Sequence, residues 1–408
     1  MKRFEDLSPS LRCIMTPGPV EVDPRVLRAM SYPVLGQFDP EFTDIMNETM
    51  GMLRELFATN NQWAFPVDGT SRSGIEAAMV SLIAPGDRVL IPIYGRFGHL
   101  LHEIAERCGA EVHTIETEWG TVFAQEEIIA EMRRVKPHVV AMVHGETSTG
   151  RLQPLEGIGQ ACREMDALLI VDAVATIGGV PVETDAWQLD AVIGGTQKCL
   201  SVPSGMAPIT YNKRAEDKIM SRKRVERGLR TADAGDEDIA VVRSNYFDLG
   251  MLQDYWSPLR LNHHTEMTSM LYALREGLRL VLEEGLEARF ARHRLHERAL
   301  VAGIEAMGLQ LYGDPDCKMP MVTCIVIPDG VDGESVRSML LDSFGIEIAS
   351  SFGPLKGKIW RIGTMGFSCR GNNVLRVLGA LEAALLRHAH PLPAGLGVQA
   401  ALDIYEQK

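Results

Sequence analysis

The sequence predicts an α/β protein built on a mostly parallel sheet with helices on both faces, and three observations predict it. Short apolar runs of strand length alternate with stretches of helical period from about residue 63 to residue 171. Two of these runs end in residues suited to chemistry rather than packing, one at Asp172 and one at the pair Gly194-Gly195. The chain is 408 residues long and 46% hydrophobic, enough for a large core and a second, smaller domain.

Taken in order, residues 1–20 are a polar start followed by Met15-Thr-Pro-Gly-Pro-Val20, an extended arm rich in helix breakers. Phe42, Ile45, Met46, Met50, Leu53 and Leu56 fit a helical period over about 40–58. A strand is expected over 63–67, then a helix that opens with glycine and hydroxyl residues and runs to Leu82. Strand and helix then alternate: strands at 88–93, 112–115, 139–143 and 168–171, helices around 97–108, 125–134 and 155–165. From 267 to about 307 the pattern is one long helical stretch, read as a connector into a smaller domain. That domain offers strands at 322–327 and 346–349 and a closing helix over about 373–388, before a breaker-rich tail. The expected division is an arm over 1–20, a large domain over 21–275, a small domain over 276–390 and a tail over 391–408.

Composition narrows the function classes. A formal charge of −13 argues against a nucleic-acid or anionic-membrane surface as partner, without excluding local basic pockets for small anions. Seven scattered cysteines with no CxxC pair do not make a disulfide scaffold or a zinc site. No apolar run of about 18 residues occurs, and the start lacks the apolar core of a signal peptide, so a cytoplasmic location is expected.

Asp172 closes one strand, and Lys198 follows the short apolar run 191–193, 26 residues further on. A buried amine and a carboxylate at neighbouring strand ends are what pyridoxal 5′-phosphate (PLP) requires: a lysine for its aldehyde and an acid for its pyridine nitrogen. Asp68-Gly-Thr-Ser-Arg-Ser-Gly74 follows a strand and opens a helix, so its free amides, hydroxyls and arginine can cradle a phosphate. Taken alone, the same turn would be an ordinary helix cap. Tyr94-Gly-Arg-Phe-Gly98 stands at a strand-to-helix junction, where Tyr94 is either an aromatic stacked on a cofactor ring or a core residue. His144-Gly-Glu-Thr-Ser-Thr-Gly150 is a hydroxyl-rich loop beyond a strand end, where open sheets bind ligands, or else a capped turn. Arg361, among glycine-rich turns, offers a bidentate fork for a carboxylate; the alternative is a surface charge. Cys199, next to the lysine, reads as a packed small residue.

Together these segments resemble the class V, fold-type I aminotransferases, in their alanine–glyoxylate and serine–pyruvate branch. The resemblance rests on Thr16-Pro-Gly-Pro, Asp68-Gly-Thr-Ser, Gly74-Ile-Glu-Ala-Ala, Ala84-Pro-Gly-Asp, His144-Gly-Glu-Thr-Ser-Thr-Gly, Val171-Asp-Ala-Val-Ala, Gly195-Thr-Gln-Lys, His263-His-Thr and Arg361-Ile-Gly, in the family's order from about 15 to 370. It implies a seven-stranded central sheet, with Lys198 holding PLP and Asp172 pairing the ring nitrogen. It also implies Phe97 as the stacking aromatic, where relatives usually carry tryptophan, and Thr70, Ser71, Arg72 and Gln197 around the phosphate. Thr147 and Val174 fall on ring contacts and Arg361 on the carboxylate clamp, while Thr265 would reach the neighbouring subunit's phosphate in a homodimer.

Two departures bear on substrate. Asn262 stands where alanine–glyoxylate relatives carry an aromatic before His-His-Thr, and Gln37 where they carry small residues. Two amides at the border of the cavity suit a substrate with amide-like donors and acceptors. This is similar to the purine-degradation branch, the (S)-ureidoglycine–glyoxylate aminotransferases, whose reaction gives oxalurate and glycine. The alternatives are an alanine–glyoxylate or serine–pyruvate aminotransferase, a cysteine desulfurase-like enzyme, and a non-catalytic binding protein of the same fold.

Overall fold

A computed structural model describes residues 4–229 and 240–407, so the first three residues of the expected arm lie outside the described residues. Seven strands form the central sheet: β1 (Trp63–Gly69), β2 (Arg88–Ile93), β3 (Glu111–Glu116), β4 (Val139–Val143), β5 (Leu168–Asp172), β6 (Ala191–Ile193) and β7 (Gly205–Tyr211). Their order across the sheet is β1-β7-β6-β5-β4-β2-β3. All neighbours run parallel except β7, which is antiparallel to both β1 and β6. Every residue of β4, β5 and β6 is buried, as befits strands covered by helices on both faces. Edge strand β3 is only half-buried and begins and ends in glutamate, which protects an open edge from pairing with other chains.

Helix α1 (Ser71–Leu82) follows β1 directly, and α2 (Arg96–Arg107) follows β2. Gly74 lets α1 lie against the sheet, since a Cβ there would come within 2.7 Å of the Ala207 Cβ. The long helical stretch expected over 267–307 is two helices, α3 (Thr268–Glu284) and α4 (Leu286–Ala306). Gly285, with φ +82°, separates them by taking a conformation that no other residue adopts cheaply.

A second sheet contains β8 (Val322–Val326), β9 (Ala349–Ser350) and β10 (Ile359–Gly363). Its strands run antiparallel, with β10 between β8 and β9. Helices α5 (Gly371–Arg387) and α6 (Leu396–Glu406) pack with α4 around a separate core of Leu300, Ile304, Trp360, Leu378 and Leu381. Helix α6 lies in what the sequence presents as a breaker-rich tail, and its Ala401 is fully buried in that core. A third apolar cluster, with Val20, Cys199, Met319, Met321 and Met365, fills the space where the two units meet.

The N-terminal arm joins this arrangement as structure. Cys13–Ile14 forms a short parallel strand against Ile346–Glu347, and the amide of Gly363 donates to the Met15 carbonyl at 2.7 Å. Met15 is completely buried in the small-domain core. Gly363 is required by this contact, because a Cβ would stand 2.0 Å from the Thr16 carbonyl oxygen, a backbone atom that cannot step aside. Gly363→Ala is therefore expected to destabilise the protein by about 1–3 kcal/mol, the cost of overpacking, read as a lower Tm. An unchanged Tm would mean that the arm does not hold this position.

Candidate active site

The carboxyl ends of β2, β4, β5 and β6 deliver the site, the usual crevice of an open parallel sheet. Asp172 is the last residue of β5 and is 5% exposed; its Oδ1 accepts the Val174 amide at 3.0 Å. Burial pushes the Asp172 carboxyl up to about 6, and the nearby Glu146 carboxylate adds to the rise. Lys198 follows β6 through Gly194 and Gly195 and is 9% exposed. Burial lowers its amine to about 8, with the Arg361 cation acting in the same direction. The Lys198 Nζ donates to the Pro17 carbonyl of the arm.

A cavity of about 240 Å³ lies between these groups. Its lining includes Thr70, Ser71, Arg72, Phe97, Thr147, Asp172, Val174, Gln197 and Lys198, nine of the residues to which the sequence assigns cofactor contacts. The floor is tight: a Cβ on Gly195 would come within 2.6 Å of Val174 Cγ1 and 2.7 Å of Ser71 Oγ. Ser71 and Gln197 are bonded to each other, Oγ to Oε1, at 2.8 Å. Thr70 caps α1 without a side-chain hydrogen bond, which leaves first-turn amides to an anion at the positive end of the helix. Neutral-capable amine, buried carboxylate, aromatic wall and anion cradle fit PLP.

Of the two aromatic readings of 94–98, the structure supports the core one for Tyr94. Its ring is 1% exposed and its hydroxyl donates to the Val143 carbonyl at 2.8 Å, whereas Phe97 lines the cavity. Arg361 lies on β10, 5% exposed, and reaches across to the loop after β4. Its Nε and Nη2 donate to the Ser350 carbonyl and its Nη1 to the Thr147 carbonyl at 2.8 Å. Three of its five donors are thus held by backbone, leaving one N–H on each terminal nitrogen for a ligand.

Gln37, Asn262 and Thr265 are not part of this cavity's lining. Gln37 Nε2 donates to Asn262 Oδ1 at 3.0 Å on an exposed face, and Gln37 Oε1 accepts the Glu266 amide at 3.3 Å. Gln37 and Thr265 line a separate open groove formed by residues 34–39 and 265–270. Beneath it, the His264 Nε2 lies 3.2 Å from Asp68 Oδ2 and 3.7 Å from Glu266 Oε2. Burial and the neighbouring Asp68 push the Glu266 carboxyl up, which favours its neutral form.

Glu146 is a site residue that sequence reasoning passed over. It is fully buried; Oε2 accepts the Phe97 amide at 2.8 Å, and Oε1 accepts the Ser148 amide at 2.9 Å and the Ser148 hydroxyl at 2.6 Å. The signal was Gly95: a Cβ there would meet Glu146 Cγ at 2.3 Å, so a glycine one residue before a helix marked a close neighbour. His144 is held by Thr176 at 2.9 Å and lies edge-on to Trp187; burial lowers it to about 3, which keeps it neutral.

A mostly parallel α/β sheet with a buried lysine, an acid at the adjacent strand end and an anion cradle at a helix start defines a PLP-dependent transferase of fold-type I. The chain belongs to the class-V aminotransferase family, whose pattern it matches over residues 31–355. It is 70% identical to the (S)-ureidoglycine–glyoxylate transaminase of Bacillus subtilis (strain 168), an alignment of 411 residues spanning 100% of this chain and 98% of that one. The crystal structure of ureidoglycine-glyoxylate aminotransferase from Bacillus subtilis superposes with a TM-score of 0.94 at 69% identity, covering 98% of this chain and 100% of that one. An alanine–glyoxylate aminotransferase from Nostoc sp. superposes at 0.88 with 39% identity, covering 94% and 98%. This chain is a PLP-dependent aminotransferase.

Lys198 can attack an aldehyde only as a neutral amine, and its lowered pKa sets where that form dominates. Covalent loading of the apoenzyme with PLP should speed up with rising pH and level off above about 8. Absorbance-detected stopped flow across pH 6–10.5 checks this. A rate still climbing toward 10.5, the ordinary lysine value, would show that burial does not tune this amine.

Proposed function

We propose that the enzyme transfers the amino group of (S)-ureidoglycine to glyoxylate, giving oxalurate and glycine, as a cytoplasmic homodimer. The likeness to the Bacillus subtilis transaminase, 70% identity over the whole chain, carries this reading. The adjoining amides of Gln37 and Asn262 support the choice of donor. A ureido group presents N–H donors and a carbonyl acceptor, and two primary amides answer both. A pocket of this kind penalises donors that would leave its amides unpaired.

PLP supplies an aldehyde for the amine and a ring that accepts the electrons released at the donor's α-carbon. Lys198 would hold it through Nζ, with Asp172 at the ring nitrogen and Phe97 on its face. Val174 and Thr147 would border the ring, and Thr70, Ser71, Arg72 and Gln197 the phosphate. The neutral Lys198 Nζ would take the proton from the donor's α-carbon and deliver it to the cofactor side, serving as base and then acid. The Asp172 carboxylate keeps the ring nitrogen protonated. Arg361 grips the carboxylate common to ureidoglycine, glyoxylate and both products, so one clamp serves both half-reactions.

Position supports the dimer. Gln37 and Thr265 line a groove separate from the Lys198 cavity, and Asn262 is bonded to Gln37, so the three are better placed for a cofactor held by a second copy. The groove carries Val34 and Phe38 at 71% and 58% exposure, apolar surface of the sort that subunit contact covers. Cytoplasmic placement is supported by seven cysteines without a disulfide, six of them buried. No described helix is long and apolar enough to cross a membrane. A desulfurase-like role lacks support: the thiol beside the lysine, Cys199, is buried, held by the Ala175 carbonyl and pushed up to about 11.

Four outcomes test this reading. Lys198→Ala should lower turnover by orders of magnitude while the cradle still takes up PLP. Arg361→Lys should cost about 1.5–3 kcal/mol in both half-reactions; loss in only one would end the shared-clamp argument. Asn262→Tyr should depress activity with ureidoglycine while sparing alanine, whereas equal losses on both donors would return the assignment to an alanine–glyoxylate enzyme. Mixing Lys198→Ala and Asn262→Tyr subunits should restore about a quarter of native activity, since half the random dimers carry one intact site. No recovery would place Asn262 in its own chain's site.

A further inference from the structure

Arg96, the first residue of α2, places its guanidinium between two rings, its central carbon 5.4 Å from the centre of Phe97. Its guanidinium carbon lies 4.0 Å from the centre of the Phe352 ring, and that of Arg361 lies 4.6 Å from the same centre. Phe352 thus carries two cations, one from each domain. The backbone around it is tied to the active-site loop: Ser351 Oγ donates to the Ser148 carbonyl at 2.7 Å, and the Arg96 amide donates to Ser148 Oγ at 3.2 Å. No carboxylate forms an ion pair with Arg96 among the described residues, although it is half-buried. The Arg96 charge also opposes that of Arg361, whose guanidinium burial already disfavours.

Two guanidinium groups held near each other, neither ion-paired with a carboxylate among the described residues, repel, and an anion placed there relieves the repulsion; the nearby Glu146 is already committed to the Phe97 amide and Ser148. Arg361 has only two N–H groups to offer, while a carboxylate can accept about four hydrogen bonds. We propose that Arg96 is a second carboxylate-binding residue of the substrate site, completing with Arg361 a two-arginine clamp for small α-oxo and α-amino acids. Phe352 is the platform that sets the spacing of the two cations. The proposal rests on the aminotransferase site described above, and not on the identity of the amino donor.

The acceptor half-reaction isolates it: amine-loaded enzyme mixed with glyoxylate, followed by cofactor absorbance, involves no donor at all. Arg96→Gln should raise the glyoxylate concentration for half-maximal rate roughly tenfold or more, the scale of a lost charged hydrogen bond, with the saturated rate within about threefold. Arg96→Lys keeps the charge without the fork and should fall between Gln and native. Acetate, as a carboxylate competitor, should weaken in the same order. The cofactor absorbance of the resting variants should match native, because Lys198 is untouched and the Phe97 main chain stays anchored on Glu146 without Arg96. Unchanged glyoxylate and acetate affinity in both variants would overturn the proposal. So would a loss accompanied by a shifted cofactor band, which would assign Arg96 to the placement of Phe97. Failure of ureidoglycine as a donor, with these shifts present, would overturn the donor assignment and leave Arg96 in place.

Discussion

An amine that must be able to shed its proton inside a protein governs how this molecule is put together. Enclosure brings Lys198 from the ordinary lysine value down to about 8, and it accounts for features far apart in sequence. Gly195 forms one wall and Gly18 another: a Cβ on Gly18 would lie 2.6 Å from Nζ and 2.4 Å from Cδ of Lys198. The Pro17 carbonyl accepts from Nζ, which satisfies a neutral donor without adding a charge. Arg361 adds a nearby positive charge that disfavours a second.

The acids answer the opposite demand. In the role proposed for it, holding a proton on the cofactor, Asp172 would have to stay ionised, yet burial and Glu146 bring it to about 6. Glu146 is not there as a titrating partner. Its three accepted hydrogen bonds bind the start of α2, which carries Phe97, to the loop that carries Thr147. One carboxylate therefore spaces the two walls between which a flat ring would lie. The small domain closes the same assembly through the Arg361 bonds to Ser350 and Thr147.

Local information reached the sheet and most of the cavity. Strands such as 139–143 and 168–172 are aliphatic runs too short for a helix, Asp172 closes the second, and Lys198 follows the short run 191–193. Position 285 was less legible, because a single glycine inside a helical period is tolerated as often as it stops a helix. Helix α6 was hidden by the prolines and glycine before it, and its burial depends on a groove made by α4. Glu146 reads as a surface acid until Gly95 is seen beside it. The Gln37–Asn262 bond spans 225 residues; family resemblance marked both positions, but nothing local could put them in contact.

The N-terminal arm has a practical consequence. Residues 4–12 are exposed in a single copy, Phe4, Leu7 and Leu11 almost completely. A protease cutting a few residues later would remove a strand from the small domain, a buried methionine from its core and one side of the reaction chamber in a single event. Trimming this terminus to aid crystallisation, or cutting within it to circularly permute the chain, would therefore disable the enzyme while leaving the residues of the central sheet intact.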